Sequence, residues 1–348
     1  MKRHDTTRAR RRVLLTGAGG PAAVSFVRSL VHEPIDFYAV DIDPYAAGLY
    51  LVPEERRGLV PPGEAPGFVD VLLERCAAWD IDVLVPTVDC ELPAVAADSR
   101  FADLGVVVLG QSAHTLDVCL DKWQLIERCR TVVPVPATTV LGPDTAVEAG
   151  RLPMIVKPRR GSGSRGVRTV HSVDEVRACP SDGSHLLQEL LPGAEYSVDV
   201  LVRRDGQVVA AVPRARLKVD SGVAVTARTV HDPELEALSV AVAREVGLRG
   251  IANIQWRCDT SGQPRLLEVN PRIPGTLPLT VAAGVDMPKW ALADVLGHAV
   301  PEWIDFDEVA VVRHWDEQIV PTGDLAAMER AARSQHSPLA ATRREEAA

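Results

Sequence analysis

Hydrophobic and polar positions follow two alternating periods over the first hundred residues. Val13-Leu14-Leu15 is a short apolar run, residues 21–32 repeat at helical spacing, and Phe37-Tyr38-Ala39-Val40 is a second run ending at Asp41. Residues 68–79 place Val71, Leu72 and Cys76 on one helical face and lead into Val83-Leu84-Val85-Pro86, with Val106-Val107-Val108-Leu109 after them. Apolar strands separated by helical segments predict a parallel, doubly wound α/β sheet.

From Thr115 the pattern changes. Residues 117–130 read as a helix ending near Pro134 and Pro136, and Met154-Ile155-Val156-Lys157-Pro158 is a strand running into the Gly/Ser/Arg loop 159–167. Residues 196–202 and 207–212 form two strands about the turn Arg204-Asp205-Gly206, an antiparallel hairpin. A helix over 234–246, paired strands at 251–258 and 265–269, and a closing helix at 288–296 complete the order.

Composition narrows the function. The 348 residues carry 38 basic and 47 acidic side chains, a net charge of -9, with the basic residues scattered outside an N-terminal cluster, so a nucleic-acid role is not expected. No apolar run is long enough to span a membrane, and the run after the basic residues 1–12, Val13-Leu14-Leu15-Thr16-Gly17, is too short and too soon broken by glycine for a signal peptide, so neither is expected. The six cysteines have no Cys-x-x-Cys pair and read as thiols in a reducing, cytoplasmic setting.

Three segments carry chemistry. Gly17-Ala18-Gly19-Gly20-Pro21-Ala22, between a strand and a helix and with Asp41 closing the next strand, fits the G-x-G-x-x-A turn. That turn admits a pyrophosphate at a helix N-terminus while the acid holds a ribose, so an NAD(P)-binding oxidoreductase is one reading; a plain tight turn is the other. Lys157 ends a strand just before Gly161, Ser162, Gly163, Ser164 and Gly166, interleaved with Arg159, Arg160 and Arg165. Such a loop can bring N–H groups and cations against phosphate oxygens, or be an exposed turn. Finally, Glu268 and Asn270 stand two apart on a strand and so share a face. Gln255 on the partner strand adds a third oxygen and Asn253 a fourth contact, a donor set suited to magnesium, with Arg272 following; the polar outer face of an edge hairpin is the other reading, which explains Glu268 but not the Asn270-Pro271-Arg272 that comes next.

The order of these parts, with Asp121-Lys122-Trp123 before them and Gln188-Glu189-Leu190-Leu191-Pro192-Gly193-Ala194-Glu195 between, resembles the ATP-grasp superfamily, in its carboxylate–amine ligase branch similar to one half of the carbamoyl-phosphate synthase large subunit. The resemblance covers residues 12–300. It implies a doubly wound, Rossmann-like pre-ATP-grasp domain at 12–112, an ATP-grasp small or lid subdomain at 113–187 and an antiparallel-sheet catalytic subdomain at 188–325. Outside it, composition alone reads residues 1–11 as a basic, disordered N-terminus and the small, charged residues 326–348 as a helical or disordered tail.

The resemblance also assigns roles. Lys122 and Lys157 would grip the ATP phosphates under the lid residues Gly161, Ser162, Gly163, Ser164 and Gly166. Glu189 and Leu191, with Gln188 beside them, would meet adenine, and Glu195 the ribose. Gln255, Glu268 and Asn270 would hold Mg2+, with Mn2+ as a substitute, and Arg272 and Lys157 would act in phosphoryl transfer. Gln188 stands where the family often has an acid, and the chain has one ATP-grasp unit where the synthase large subunit has two. The implied reaction joins a carboxylate, an amino acid or related small acid, to an amine through an acyl phosphate. Runner-up readings are a carboxylate- or carbamate-phosphorylating synthase with a non-amine acceptor, and the oxidoreductase.

Substrate contacts are expected from Gly19, Asp89 and Glu91, from Arg216 and Arg228 with Arg214 and Lys218 nearby, and from Gly275 and Thr276. His231 reads as a surface residue. The expected partners are small molecules, with neither nucleic acid nor membrane; a homodimer is the default assembly.

Overall fold

The computed structural model describes residues 10–161, 163, 165–220, 223–314 and 316–335. The chain divides into two compact units, Met1–Gly110 with His314–Ala348, and Gln111–Arg313.

The first unit is built on a parallel sheet of β1 (Arg11–Leu15), β2 (Ile35–Asp41), β3 (Arg57–Leu59), β4 (Val83–Val85) and β5 (Val107–Val108), in the order β3-β2-β1-β4-β5. Val13, Leu14 and Leu15 are all fully buried, as a strand covered on both faces requires, and this is why β1 reads as an unbroken apolar run. The helix Phe68–Ala78 sends Phe68, Val71, Leu72 and Cys76 into one core with Leu14, Leu84 and Phe101. β3 has no counterpart in the sequence reading. It is three residues long and begins with arginine, so no local apolar pattern announces it.

The C-terminal helix Thr322–Gln335 belongs to this unit, so residues 314–325 leave the catalytic part to which the sequence reading gave them. Contacts distant in sequence fasten it there: the Arg57 side chain, 2% exposed, meets Asp324 at 3.0 Å, the Tyr45 hydroxyl donates to Glu329 at 3.1 Å, and Met328 is buried. At the other end, Arg10 pairs with Asp36 at 2.8 Å and Arg11 already lies in β1. Residues 1–9 and 336–348, the rest of the expected basic N-terminus and tail, lie outside the described residues.

The second unit holds two sheets. One contains β6 (Thr138–Val140), β7 (Met154–Pro158), β8 (Arg168–Val170) and β9 (His185–Glu189) in the antiparallel order β6-β9-β7-β8. The other contains β10 (Glu195–Val202), β11 (Val208–Asp220), β12 (Val223–Thr229), β13 (Gly250–Cys258), β14 (Pro264–Asn270) and β15 (Ala310–Val312) in the order β14-β13-β10-β11-β12-β15. The helix expected over 117–130 is two, Ala113–Cys119 and Lys122–Cys129. The break falls at Asp121, whose carboxylate accepts the Trp123 N–H at 3.0 Å and caps the second helix.

Register fixes the faces of the larger sheet, because residues directly opposite share a side. Glu268 faces Gln255, Gln255 faces Ser197 and Ser197 faces Arg214; Asn270, Asn253 and Asp199 make a second row; Arg257 and Glu195 belong to a third. The opposite side carries Ile254, Trp256, Leu266 and Val198, covered by the helix Pro233–Glu245 through Leu235 and Val242, and there the Trp256 indole donates to Ser239 at 3.0 Å. One sheet thus has a greasy side that fixes it and a polar side left for other work.

Candidate active site

The polar side of the larger sheet and the sheet β6-β9-β7-β8 enclose a cavity. Lys157 enters it from β7, Lys122 from the first turn of the helix Lys122–Cys129, Gln188, Glu189, Leu190 and Leu191 from the end of β9, Glu195 from β10, and Gln255, Arg257, Leu267 and Glu268 from β13 and β14. Gly161, Arg160 and Arg165 lie at the loop side.

The cations are held against their own solvation preference. Lys157 is 6% exposed and no carboxylate pairs with it among the described residues. Burial pushes its ammonium down to about 8; Glu268 works against that shift and Lys122 reinforces it. The Lys122 ammonium donates to the Gly161 carbonyl at 2.7 Å and stands 3.9 Å from Glu268. The loop root is fastened by Asp121, which takes Arg159 at 2.7 Å and stands 3.6 Å from Arg160. Burial alone would raise the Asp121 carboxyl, but the Arg159 hydrogen bond and helix N–H groups outweigh it and hold it below its usual range. Beyond that root, Gly161 and Gly163 adopt φ of 124° and 67°, which L side chains rarely adopt, so the loop needs glycine there. Ser162 and Ser164 lie outside the described residues.

The oxygen donors converge. Asn270 approaches Glu268 at 3.4 Å, and Gln255 lies opposite Glu268 and 3.5 Å from Asn253. Among the described residues no group of three or more His, Cys, Asp or Glu side chains comes together. One carboxylate and two amides nevertheless fit magnesium, which takes few protein ligands and completes its shell with phosphate and water. Zinc, which prefers nitrogen and sulfur, fits poorly. Arg272 continues the strand and donates to the Ile273 carbonyl at 3.2 Å.

Several candidates are otherwise engaged. The Gln188 amide donates to Thr138 at 2.9 Å, so this buried side chain ties β9 to β6. Glu195 is paired with Arg216 at 2.6 Å and faces Arg257 at 3.8 Å. Arg214 is consumed inside the sheet: it meets Asp199 at 2.6 Å and donates to the Thr276 hydroxyl, while Asp199 also accepts from Asn253 at 2.8 Å and Thr280 at 2.5 Å. Arg228 corrects the sequence reading, for it lies opposite Ala215 and so on the Tyr196 and Trp256 side, away from the cavity. An arginine and its neighbour in sequence face opposite ways on a strand. His231 is exposed, as expected, and stacks on the buried Phe306 at 4.0 Å.

In the first unit, Gly19 has already given its N–H to Asp41 at 2.7 Å, and the other Asp41 oxygen accepts the Asp43 N–H at 2.9 Å. That acid therefore closes the turn instead of offering two free oxygens to a ribose. Glu91 is buried; one oxygen receives the Thr16 hydroxyl and the N–H groups of Thr87 and Val88 at 2.8 and 2.9 Å, and burial raises its carboxyl above the ordinary value. Through that oxygen it fastens the loop after β4 to the end of β1. Asp89, beside it, is half-buried.

Arg257 and Arg313 were not anticipated. Arg257 could have been found from the period of β13, since it lies two residues past Gln255. Nothing local marks Arg313.

Two lysines, the side-chain oxygens of Gln255 and Glu268 and a glycine-bearing loop thus meet between two antiparallel sheets. The profile of ATP-grasp proteins described as "ATP-grasp in the biosynthetic pathway with Ter operon" matches residues 182–318. The carbamoyl phosphate synthase large chain of Deinococcus radiodurans is 30% identical over 207 residues, 53% of this chain and 20% of that one. The D-alanine--D-alanine ligase of Nitrosococcus oceani is 29% identical over 217 residues, 54% of this chain and 66% of that one. Among solved structures, a biotin carboxylase complex with β,γ-ATP from Campylobacter jejuni aligns with a TM-score of 0.70 at 16% identity, over 83% of this chain and 72% of that one, a likeness of fold. Residues 182–318 belong to the ATP-grasp superfamily. The chain matches about a fifth of the synthase large chain's length.

Proposed function

We propose that this chain is an ATP- and magnesium-dependent ligase that activates a carboxylate as an acyl phosphate and passes the acyl group to an amine. The observation that carries the reading is the convergence of Lys122, Lys157, Gln255 and Glu268 on one cavity bordered by residues 188–191. In this reading the two ammonium groups grip the triphosphate, the backbone at Glu189 and Leu191 meets adenine, and the loop bearing Gly161, Gly163 and Gly166 covers the phosphates. Gln255, Glu268 and Asn270 would hold Mg2+, which offsets phosphate charge when bound. Arg272 is assigned to the transferring phosphoryl group and Glu195 to the ribose. Because Glu195 is paired with Arg216, ribose binding would have to share or displace that pair.

A substrate carboxylate oxygen attacks the γ-phosphorus as its bond to the β,γ-bridging oxygen breaks, releasing ADP. The amine nitrogen then attacks the acyl carbon, phosphate departs, and nitrogen loses a proton. Charge stabilisation by fixed cations is the main help the first step requires. An acyl phosphate hydrolyses in open water, so covering the cavity precedes chemistry.

The experiment is ADP release from Mg2+-ATP against a panel of small acids, each with and without ammonia, ethylamine, glycine or L-alanine, with mass spectrometry of products. Amide formation linked to ADP release is the expected result. ADP release that is indifferent to any amine would overturn the amide-forming reading.

A further inference from the structure

The polar side of the larger sheet holds a cation that the ligase reading does not use. Arg313 follows β15, and its N–H donates to the Val225 carbonyl at 2.9 Å, extending the pairing of β15 with β12. Strand alternation puts its side chain with Val311, which faces Ala227, which in turn faces Arg216. Its guanidinium donates to the Gly275 carbonyl, in the segment leading away from β14. Burial and the nearness of Arg214 both press its pKa below the ordinary arginine value, and no carboxylate is paired with it among the described residues.

Arg214, Arg216 and Arg313 therefore differ. Arg214 is neutralised by Asp199, whose oxygens are also engaged by Asn253 and Thr280; Arg216 is neutralised by Glu195. Arg313 has a backbone carbonyl and a like-charged neighbour. A half-buried guanidinium in that position lacks the compensation its neighbours have, and an anionic ligand supplies it with a planar, two-point match.

Position says which anion. Glu268 and Arg214 are in register across three strand spacings, about 14 Å at the usual separation. The carboxylate that is phosphorylated must sit beside the γ-phosphate, near Glu268. An anion on Arg313, close to Arg214 and Gly275, is a different group. Resting on the ligase reading, we infer that Arg313 binds a second, non-reacting carboxylate of the substrates, of the sort an amino-acid acceptor or a dicarboxylic donor carries.

The test uses the full chain with Mg2+ and a non-hydrolysable ATP analogue. Acetate, malonate, succinate, ethylamine, glycine and L-alanine are titrated calorimetrically into the native chain, Arg313→Met and Arg313→Lys. Expected is binding of malonate or succinate over acetate, which marks the donor, or of glycine or L-alanine over ethylamine, which marks the acceptor. Arg313→Met should weaken it about thirtyfold and Arg313→Lys restore part, with analogue affinity changed less than about twofold. The inference fails if none of the carboxylate-bearing probes binds the native chain more tightly than Arg313→Met. It also fails if analogue affinity and thermal stability fall along with probe binding, which marks Arg313 as an anchor for Gly275 alone. ADP release is read separately: Arg313-dependent probe binding without any ADP release would defeat the ligase reading and leave the anion site standing.

Discussion

Two buried polar centres of this chain are built on opposite terms. In the first unit, both oxygens of Asp41 and one of Glu91 are spent on N–H and hydroxyl donors of their own surroundings. In the second, Lys157 is buried to the same degree, yet no counterion touches it among the described residues and its proton is loosened. A closed network is a structural device, whereas a charge kept buried and uncompensated is held ready for a ligand. The second unit contains both kinds side by side, for Asp199 and Arg214 form a closed pair on the very face that carries Gln255 and Glu268.

The sharpest way to break this contrast is to open the closed pair. Asp199→Ala leaves Arg214 buried without its carboxylate and should lower unfolding stability by about 3–5 kcal/mol, read by chemical denaturation. A loss below about 1 kcal/mol would mean that the pair is not what holds this face. Lys157→Met should do the reverse: ADP release falls by about 10²–10³-fold while the melting temperature is unchanged or rises, because an uncompensated buried charge is gone. Full turnover in this variant, or in Glu268→Ala, would remove both residues from the phosphate site.

Glu91→Ala tests the closed network of the first unit. With its N–H donors orphaned, stability should drop by about 1–3 kcal/mol. Substrate-specific kinetic change without that drop would instead make Glu91 a ligand group.

A smaller effect is set by pH. The folded Lys157 pKa of about 8 lies below its ordinary 10.5, so in the unliganded protein the charged form costs stability below about pH 8, and that cost fades as pH rises toward 10.5. Phosphate binding needs the charged form. ADP affinity, measured without metal, should therefore weaken about tenfold between pH 7 and pH 9, with proton uptake on binding near pH 8. A flat profile would show that Lys157 does not meet the nucleotide. Smallest of all, Arg228→Ala should change ADP release less than about twofold, since its strand position points it away from the cavity.

Much of the outline was legible along the chain because its cues are local. Apolar runs separated by helical periods announced the parallel sheet, and β1, β2 and β4 sit where those runs predicted. The spacing of Glu268 and Asn270 on β14 was enough to put them on one face, and the glycines of the loop after Lys157 do take the positive φ values that such a turn demands.

What only the tertiary structure decided is how each charge is compensated and which side of the sheet it faces. The Arg57–Asp324 pair that helps fasten the C-terminal helix to the first unit spans residues far apart in sequence, and no local period encodes it. Arg214, Arg216, Arg228 and Arg313 look equivalent as letters. Strand register and the position of Asp199, Glu195 and Gly275 make one structural, one paired with a partly exposed carboxylate, one outward-facing and one bonded to a backbone carbonyl. Residue type fixes what a side chain can bind, and only its neighbours determine whether it is already bound.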